Sequence, residues 1–207
     1  MSLSQTTSPE ISSQLKSIQQ LIQSAKFEQA ITLGEELLKR TTEKQDQVEI
    51  YYLVAVSQRY NKTFTEALKS IQQLVMLNDA HSRSYQEQGY NYLALKSLSK
   101  AKVSFEHAVK INPSLIASWQ ELIELYRATE QMDQVQYAAN QLAELKRLPQ
   151  ALLAVTELMH EGKLLKAEQI CRHFLQQNKQ HVEGMCLLAE IGIELKIYDD
   201  AEFLLAS

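Results

Sequence analysis

Apolar and small residues recur along this chain in a pattern with a period of about 34 residues. The clearest copy lies in 82–115: Tyr85-x2-Gln88-Gly89-x2-Tyr92, then Ala101-x3-Phe105, then Ala108 and Pro113. Its spacing is that of two antiparallel helices joined by a short turn, neither able to bury its apolar face alone, so further copies are expected on both sides. The next segment, Trp119-x2-Leu122-Ile123-x2-Tyr126, restates the first half of the pattern one full period after Tyr85. Sliding the pattern along the chain puts the small residue of the second helix at Ala30, Ala67, Ala101, Val135, Ala167 and Ala201. The spacing is even except that the first interval is slightly long and the one from Val135 to Ala167 slightly short. Six helix pairs follow, over 11–47, 48–81, 82–115, 116–147, 148–181 and a truncated 182–207. Ser8-Pro9-Glu10 reads as a helix start, with a capping hydroxyl, Pro at the first helical position and an acid in the first turn, which leaves 1–8 as a flexible tail and 9–207 as one array.

This pattern resembles the tetratricopeptide repeat. The resemblance implies an all-α fold, a right-handed superhelix of tandem helix-turn-helix units forming an α-solenoid, in which each unit touches its neighbours. In such a unit the eighth and twentieth positions are small where the helices cross, and the twenty-fourth supplies bulk. Here the eighth reads Ile18, Ala55, Gly89, Ile123, Val155, Ala189 and the twenty-fourth Gly34, Ile71, Phe105, Ala139, Cys171, Leu205. In the fourth unit Ile123, Val135 and Ala139 depart together, which reads as a swap of volume between facing positions. That unit is also the shortest of the five complete ones and runs into Leu148-Pro149, so an irregularity is expected between Leu145 and Gln150.

The same resemblance implies that the first helices line a concave wall, with the second, fifth, sixth, ninth, twelfth and thirteenth positions facing a groove. These include Tyr52, Val56 and Tyr60, then Gln86, Glu87 and Tyr90, then Gln120, Glu124 and Arg127, then Leu152, Thr156 and His160, and last Cys186 and Glu190. The wall is thus expected to be aromatic at one end and polar with an acidic tilt further on. Tyr52, Tyr60 and Tyr90 are the leading candidates for partner contact, since exposed rings with a polar tip add contact area at low entropy cost. Tyr51, Tyr85 and Tyr92 are assigned to packing. Relatives that clamp a chaperone's terminal carboxylate use Lys, Asn and Arg at groove positions. Tyr52, Val56, Gln86, Tyr90, Gln120 and Glu124 stand there instead, which disfavours that ligand.

Composition narrows the remaining choices. Five Gly and three Pro in 207 residues suit helices joined by short turns. A formal charge of −4 with mixed signs argues against a nucleic-acid partner, and no apolar run long enough to span a membrane is visible. Cys171 and Cys186 are expected as free thiols in a reducing, cytoplasmic setting, with Cys171 in the core. Cys171 and His173 lie two apart on a helix and so face different ways, which counts against a metal site with His160, His181 and Cys186. Phosphate-loop, G-x-S-x-G and H-E-x-x-H patterns are missing, so neither catalysis nor a cofactor is expected of these residues.

The run 118–131 and the stretch Leu187-Leu188-Ala189-Glu190-Ile191-Gly192 with Tyr198-Asp199-Asp200-Ala201-Glu202-Phe203-Leu204-Leu205 are similar to the repeats at the front of bacterial sulfotransferases. That likeness implies a catalytic domain after residue 207 that uses 3′-phosphoadenylyl sulfate, with the array as a substrate-presenting or dimerising arm. Phe203, Leu204 and Leu205 form an apolar face near the end of the chain, so the sequence predicts either an amino-terminal fragment or self-association through the uncapped last unit. The expected role of the array is to bind a peptide or helix of a partner protein. A structural spacer is the third alternative.

Overall fold

A computed structural model of the chain describes residues 9–197. These fold into eleven α-helices with no strand among them. The first unit contributes α1 (Pro9–Gln23) and α2 (Phe27–Leu38), the second α3 (Lys44–Tyr60) and α4 (Phe64–Leu77), and the third α5 (Ser82–Ala94) and α6 (Leu98–Ile111). The fourth holds α7 (Ile116–Ala128) and α8 (Met132–Arg147), the fifth α9 (Gln150–His160) and α10 (Leu164–Gln177), and the sixth α11 (Val182–Glu194). Helix α1 begins at Pro9, as its fixed φ favours. The expected tail, the Ser8 cap, Ala201 and the apolar run 203–205 lie outside the described residues.

The turn inside each helix pair sets the register. One residue after each first helix adopts a left-handed conformation: Ala25, Lys62, Lys96, Glu130, Gly162 and Lys196, with φ between 55° and 71°. Their spacing reproduces that of the small residues in the sequence pattern, each lying five positions before one of them. At every one the following N–H reaches back five residues to a helical carbonyl, as in Lys26 N to Leu21 O at 2.8 Å, Thr63 N to Gln58 O at 2.9 Å and Ser97 N to Tyr92 O at 2.8 Å. Those bonds satisfy carbonyls that the helix end would otherwise leave open. Only Gly162 takes the left-handed position with the residue type that suits it best.

The chain divides into two compact units, 1–108 and 109–207. In the first, Ile18, Ala30, Leu37, Ile50, Leu53 and Val54 form a core in which α1, α2 and α3 meet. Gly34 belongs there because a Cβ on it would run into the Val54 side chain. Gly89 of α5 lies against the Phe105 ring of α6, which a Cβ would approach to 2.6 Å. Phe105 is completely buried. In 9–47 the bulk stands in the first helix and the glycine in the second, Ile18 and Gly34. In 82–115 it is reversed, Gly89 and Phe105. The exchange of volume between facing positions is thus realised in the first pair.

The second unit corrects the expectation for the fourth pair. Ile123, Val135 and Ala139 are all half-buried, whereas their counterparts in the other described pairs are buried. Leu122 and Ala138, one position earlier than Ile123 and Ala139, are fully buried there, so no volume swap between Ile123, Val135 and Ala139 holds the pair. Helix α8 then runs to Arg147 and meets α9 through Leu148 and Pro149, both extended. The irregularity expected between 145 and 150 is this two-residue link. Beside it lies a cleft of about 430 Å³ bordered by Leu145, Leu148, Pro149 and His181. Beyond it, Leu152, Val155, Ala167, Cys171, Leu188 and Ile191 make the core of α9, α10 and α11.

Candidate functional site

The residues proposed for partner contact divide by unit. In the first, Tyr52, Val56, Gln86 and Tyr90 are half-buried on α3 and α5, and Tyr60 is half exposed. What organises them is Arg59, which the sequence pattern did not single out. Its Nε donates to Glu87 Oε2 at 2.5 Å and its Nη2 to Glu87 Oε1 at 3.2 Å, a forked pairing from α3 to α5. The Arg59 side chain is 20% exposed and that of Glu87 7%. Burial works against the charge on Arg59, but the Glu87 carboxylate, aided by Tyr60, outweighs it and raises the guanidinium's pKa above its ordinary value.

The guanidinium also carries the rings. Its central carbon lies 4.3 Å from the Tyr60 ring centre and 5.1 Å from that of Tyr90. Tyr60 stacks in turn on Phe27 of α2, with centroids 5.3 Å apart and planes 14° apart. Tyr90 meets the buried Phe105 edge-on at 5.2 Å. A continuous series, Phe27, Tyr60, Arg59, Tyr90, Phe105, thus runs through α2, α3, α5 and α6. Tyr52 packs against His81, the residue that caps α5 by accepting the Ser84 N–H at its Nδ1 (3.2 Å). Tyr85 is buried and stacked on His107 at 4.0 Å, in keeping with its packing assignment.

Glu87 needs correcting as a groove contact. It is 5% exposed and committed to Arg59, so it is not open to a partner.

The second unit presents a different surface. Gln120, Glu124, Arg127, His160, Cys186 and Glu190 are exposed, and Thr156 is half-buried with its hydroxyl bonded to Leu153 O at 2.8 Å. Arg127 pairs with Glu124 of its own helix at 2.6 Å, with 54% and 68% of the two side chains exposed. Burial, then the nearby Glu124, pushes the Glu121 carboxyl above the usual range. Leu152 is a correction: it is fully buried rather than facing a groove. Lying three residues before Val155, it shares that residue's face, and the leucine takes a core place in the first turn of α9.

Cys171 is buried, its Sγ within 3.2 Å of Gly184 O, and burial pushes its thiol up to about 11. Cys186 is exposed. No described helix is long and apolar enough to cross a membrane.

Residues 82–115 match the family model for the tetratricopeptide repeat, on the segment where Gly89 meets Phe105 and Glu87 meets Arg59. This segment is similar to a tetratricopeptide repeat. Solved structures extend the likeness of fold over most of the chain. MamA superimposes with a TM-score of 0.59 at 18% identity, over 66% of this chain and 78% of that one. TTC0263, a thermophilic tetratricopeptide-repeat protein of Thermus thermophilus, gives 0.55 at 19% identity, over 88% and 99%. Naa15/Naa10 bound to HypK-THB gives 0.57 at 13% identity, over 96% of this chain and 31% of that one. No curated protein matches the chain. The described residues therefore share the α-solenoid fold of tetratricopeptide-repeat proteins.

Proposed function

We propose that the protein is an interaction scaffold that docks a peptide or helix of a partner protein on the first-helix wall of its 1–108 unit. Proteins of the tetratricopeptide-repeat fold generally serve protein–protein interaction, and one structure of that fold is itself an assembly, Naa15/Naa10 bound to HypK-THB. The observation that carries the reading here is the Arg59 junction. It holds Tyr60 and Tyr90 against one guanidinium while leaving Tyr60 half exposed. Rings ordered before a partner arrives lose little freedom on binding, which is what favours aromatic anchors at interfaces. The −4 charge of the chain favours a protein partner over nucleic acid. The arm of a sulfotransferase rests on the likeness of 118–131 and 187–205 alone, and no contact in the fold adds to it.

The reading is tested by placing a photo-crosslinking amino acid at Gln86 in cells that make the protein. We expect one dominant partner adduct that is lost when Tyr60→Ala and Tyr90→Ala are combined, with helical circular dichroism retained. The same adduct formed equally from position Met76, which is 73% exposed on the second helix of its pair, would contradict it.

A further inference from the structure

The charges at the groove positions of α3 and α5 cancel on the protein itself. Those positions carry Glu49 and Arg59 on α3 and Arg83 and Glu87 on α5, two of each sign. Arg59 and Glu87 consume each other in the forked pair, with Glu87 almost wholly buried. Glu49 and Arg83 are half-buried, and each is engaged in contacts of its own. Around Arg59 the wall therefore offers a ligand the faces of Tyr60 and Tyr90 over a charge that is already paired. A charged side chain entering beside Tyr60 and Tyr90 would give up its water and meet in Arg59 a charge already paired, a cost of desolvation without full repayment.

Resting on the docking reading above, we propose that this wall selects an uncharged, apolar stretch of its partner, and that Glu87 is the residue that sets the choice. Without Glu87, Arg59 would stand between two tyrosine rings as a desolvated cation able to fork onto a carboxylate. The wall would then become a receptor for acidic side chains or a chain-terminal carboxylate. Glu87 opposes this by neutralising the charge and taking the Nε–Nη2 edge of the guanidinium, so it acts against the wrong ligand rather than for the right one. The Phe27 and Phe105 contacts keep the two tyrosine rings in place in either case.

Selection of a random-peptide phage library on the full chain, followed by fluorescence anisotropy with the enriched synthetic peptides, tests this. Three proteins are compared: the natural sequence, Tyr60→Ala with Tyr90→Ala, and Glu87→Gln. The natural sequence is expected to enrich peptides with aliphatic or aromatic residues and no acid, and these should lose about tenfold in affinity for the double-tyrosine variant. Glu87→Gln is expected to gain about tenfold for the same peptides once an Asp is placed at their centre. Should the natural sequence enrich acidic peptides that depend on Tyr60 and Tyr90, the selection rule fails while the docking site stands. If no enriched peptide depends on those tyrosines, the docking reading fails and the rule with it. The selection on the natural sequence decides the matter even if Glu87→Gln is poorly folded by circular dichroism.

Discussion

Arg59 and Arg127 occupy the same, twelfth, position of their repeats, one in each compact unit, and they do opposite things. Arg59 reaches to Glu87 at the sixth position of the next repeat, is mostly buried and holds two tyrosines. The residue at that sixth position after Arg127 is Leu153, so Arg127 turns back to Glu124 on its own exposed helix surface. One position of one repeat pattern is thus a packing element in 1–108 and a solvated charge in 109–207. A template position fixes where a side chain starts, and the partner across the repeat boundary decides what it does.

The largest effect that would break this contrast is expected at Phe105. Replacing it by Ala removes the ring under Gly89 and the edge contact to Tyr90, and should cost about 3–5 kcal/mol in urea unfolding. Ala139, the same repeat position in the fourth pair, is half-buried, so Ala139→Leu should stay within about 1 kcal/mol of the natural protein. Next comes the pair itself. Arg59→Ala strands a buried carboxylate and should cost about 3 kcal/mol, whereas Arg127→Ala should cost about 0.5 kcal/mol or less.

Smaller effects are expected at the turns. Lys62→Gly and Lys96→Gly relieve left-handed strain and should each add about 0.5–1 kcal/mol, while Gly162→Ala in the other unit should remove about 1 kcal/mol. The smallest concerns the thiols. Cys186 should react with iodoacetamide at pH 8 while Cys171 is protected until the unit unfolds. The native Cys171 thiol holds its proton to about 11, above the ordinary 9.0 of the unfolded chain. Its contribution to stability is therefore complete below about 9 and declines as the pH rises from there to about 11. Equal labelling of both cysteines at pH 8 would show that the α9–α11 core is open.

The register of the fold was legible before the structure, because the small residues and the left-handed turn residues obey one spacing, and both follow from how closely two helices must approach. Repeat-position arguments failed where they needed volume rather than spacing. Ile123, Val135 and Ala139 sit at crossing positions by count, yet they are half-buried while Leu122 and Ala138 are fully buried. Leu152 likewise fell on a groove position by count and went to the core by size. Tyr52, Tyr60 and Tyr90 were singled out as rings; Tyr60 and Tyr90 meet at Arg59, and Tyr52 packs against His81. Arg59 was missed because its role depends on a carboxylate 28 residues away. A search for opposite charges at the twelfth position of one repeat and the sixth of the next would have found it.

The central claim is that the Arg59–Glu87 pair fastens α3 to α5 and so presets the tyrosine wall. It is tested most directly by a double-mutant cycle, Arg59→Met and Glu87→Gln singly and together, read by urea unfolding beside the same cycle at Arg127 and Glu124. The account predicts a coupling of about 2 kcal/mol or more for the first pair and about 0.5 kcal/mol or less for the second. Equal couplings for the two pairs would contradict it.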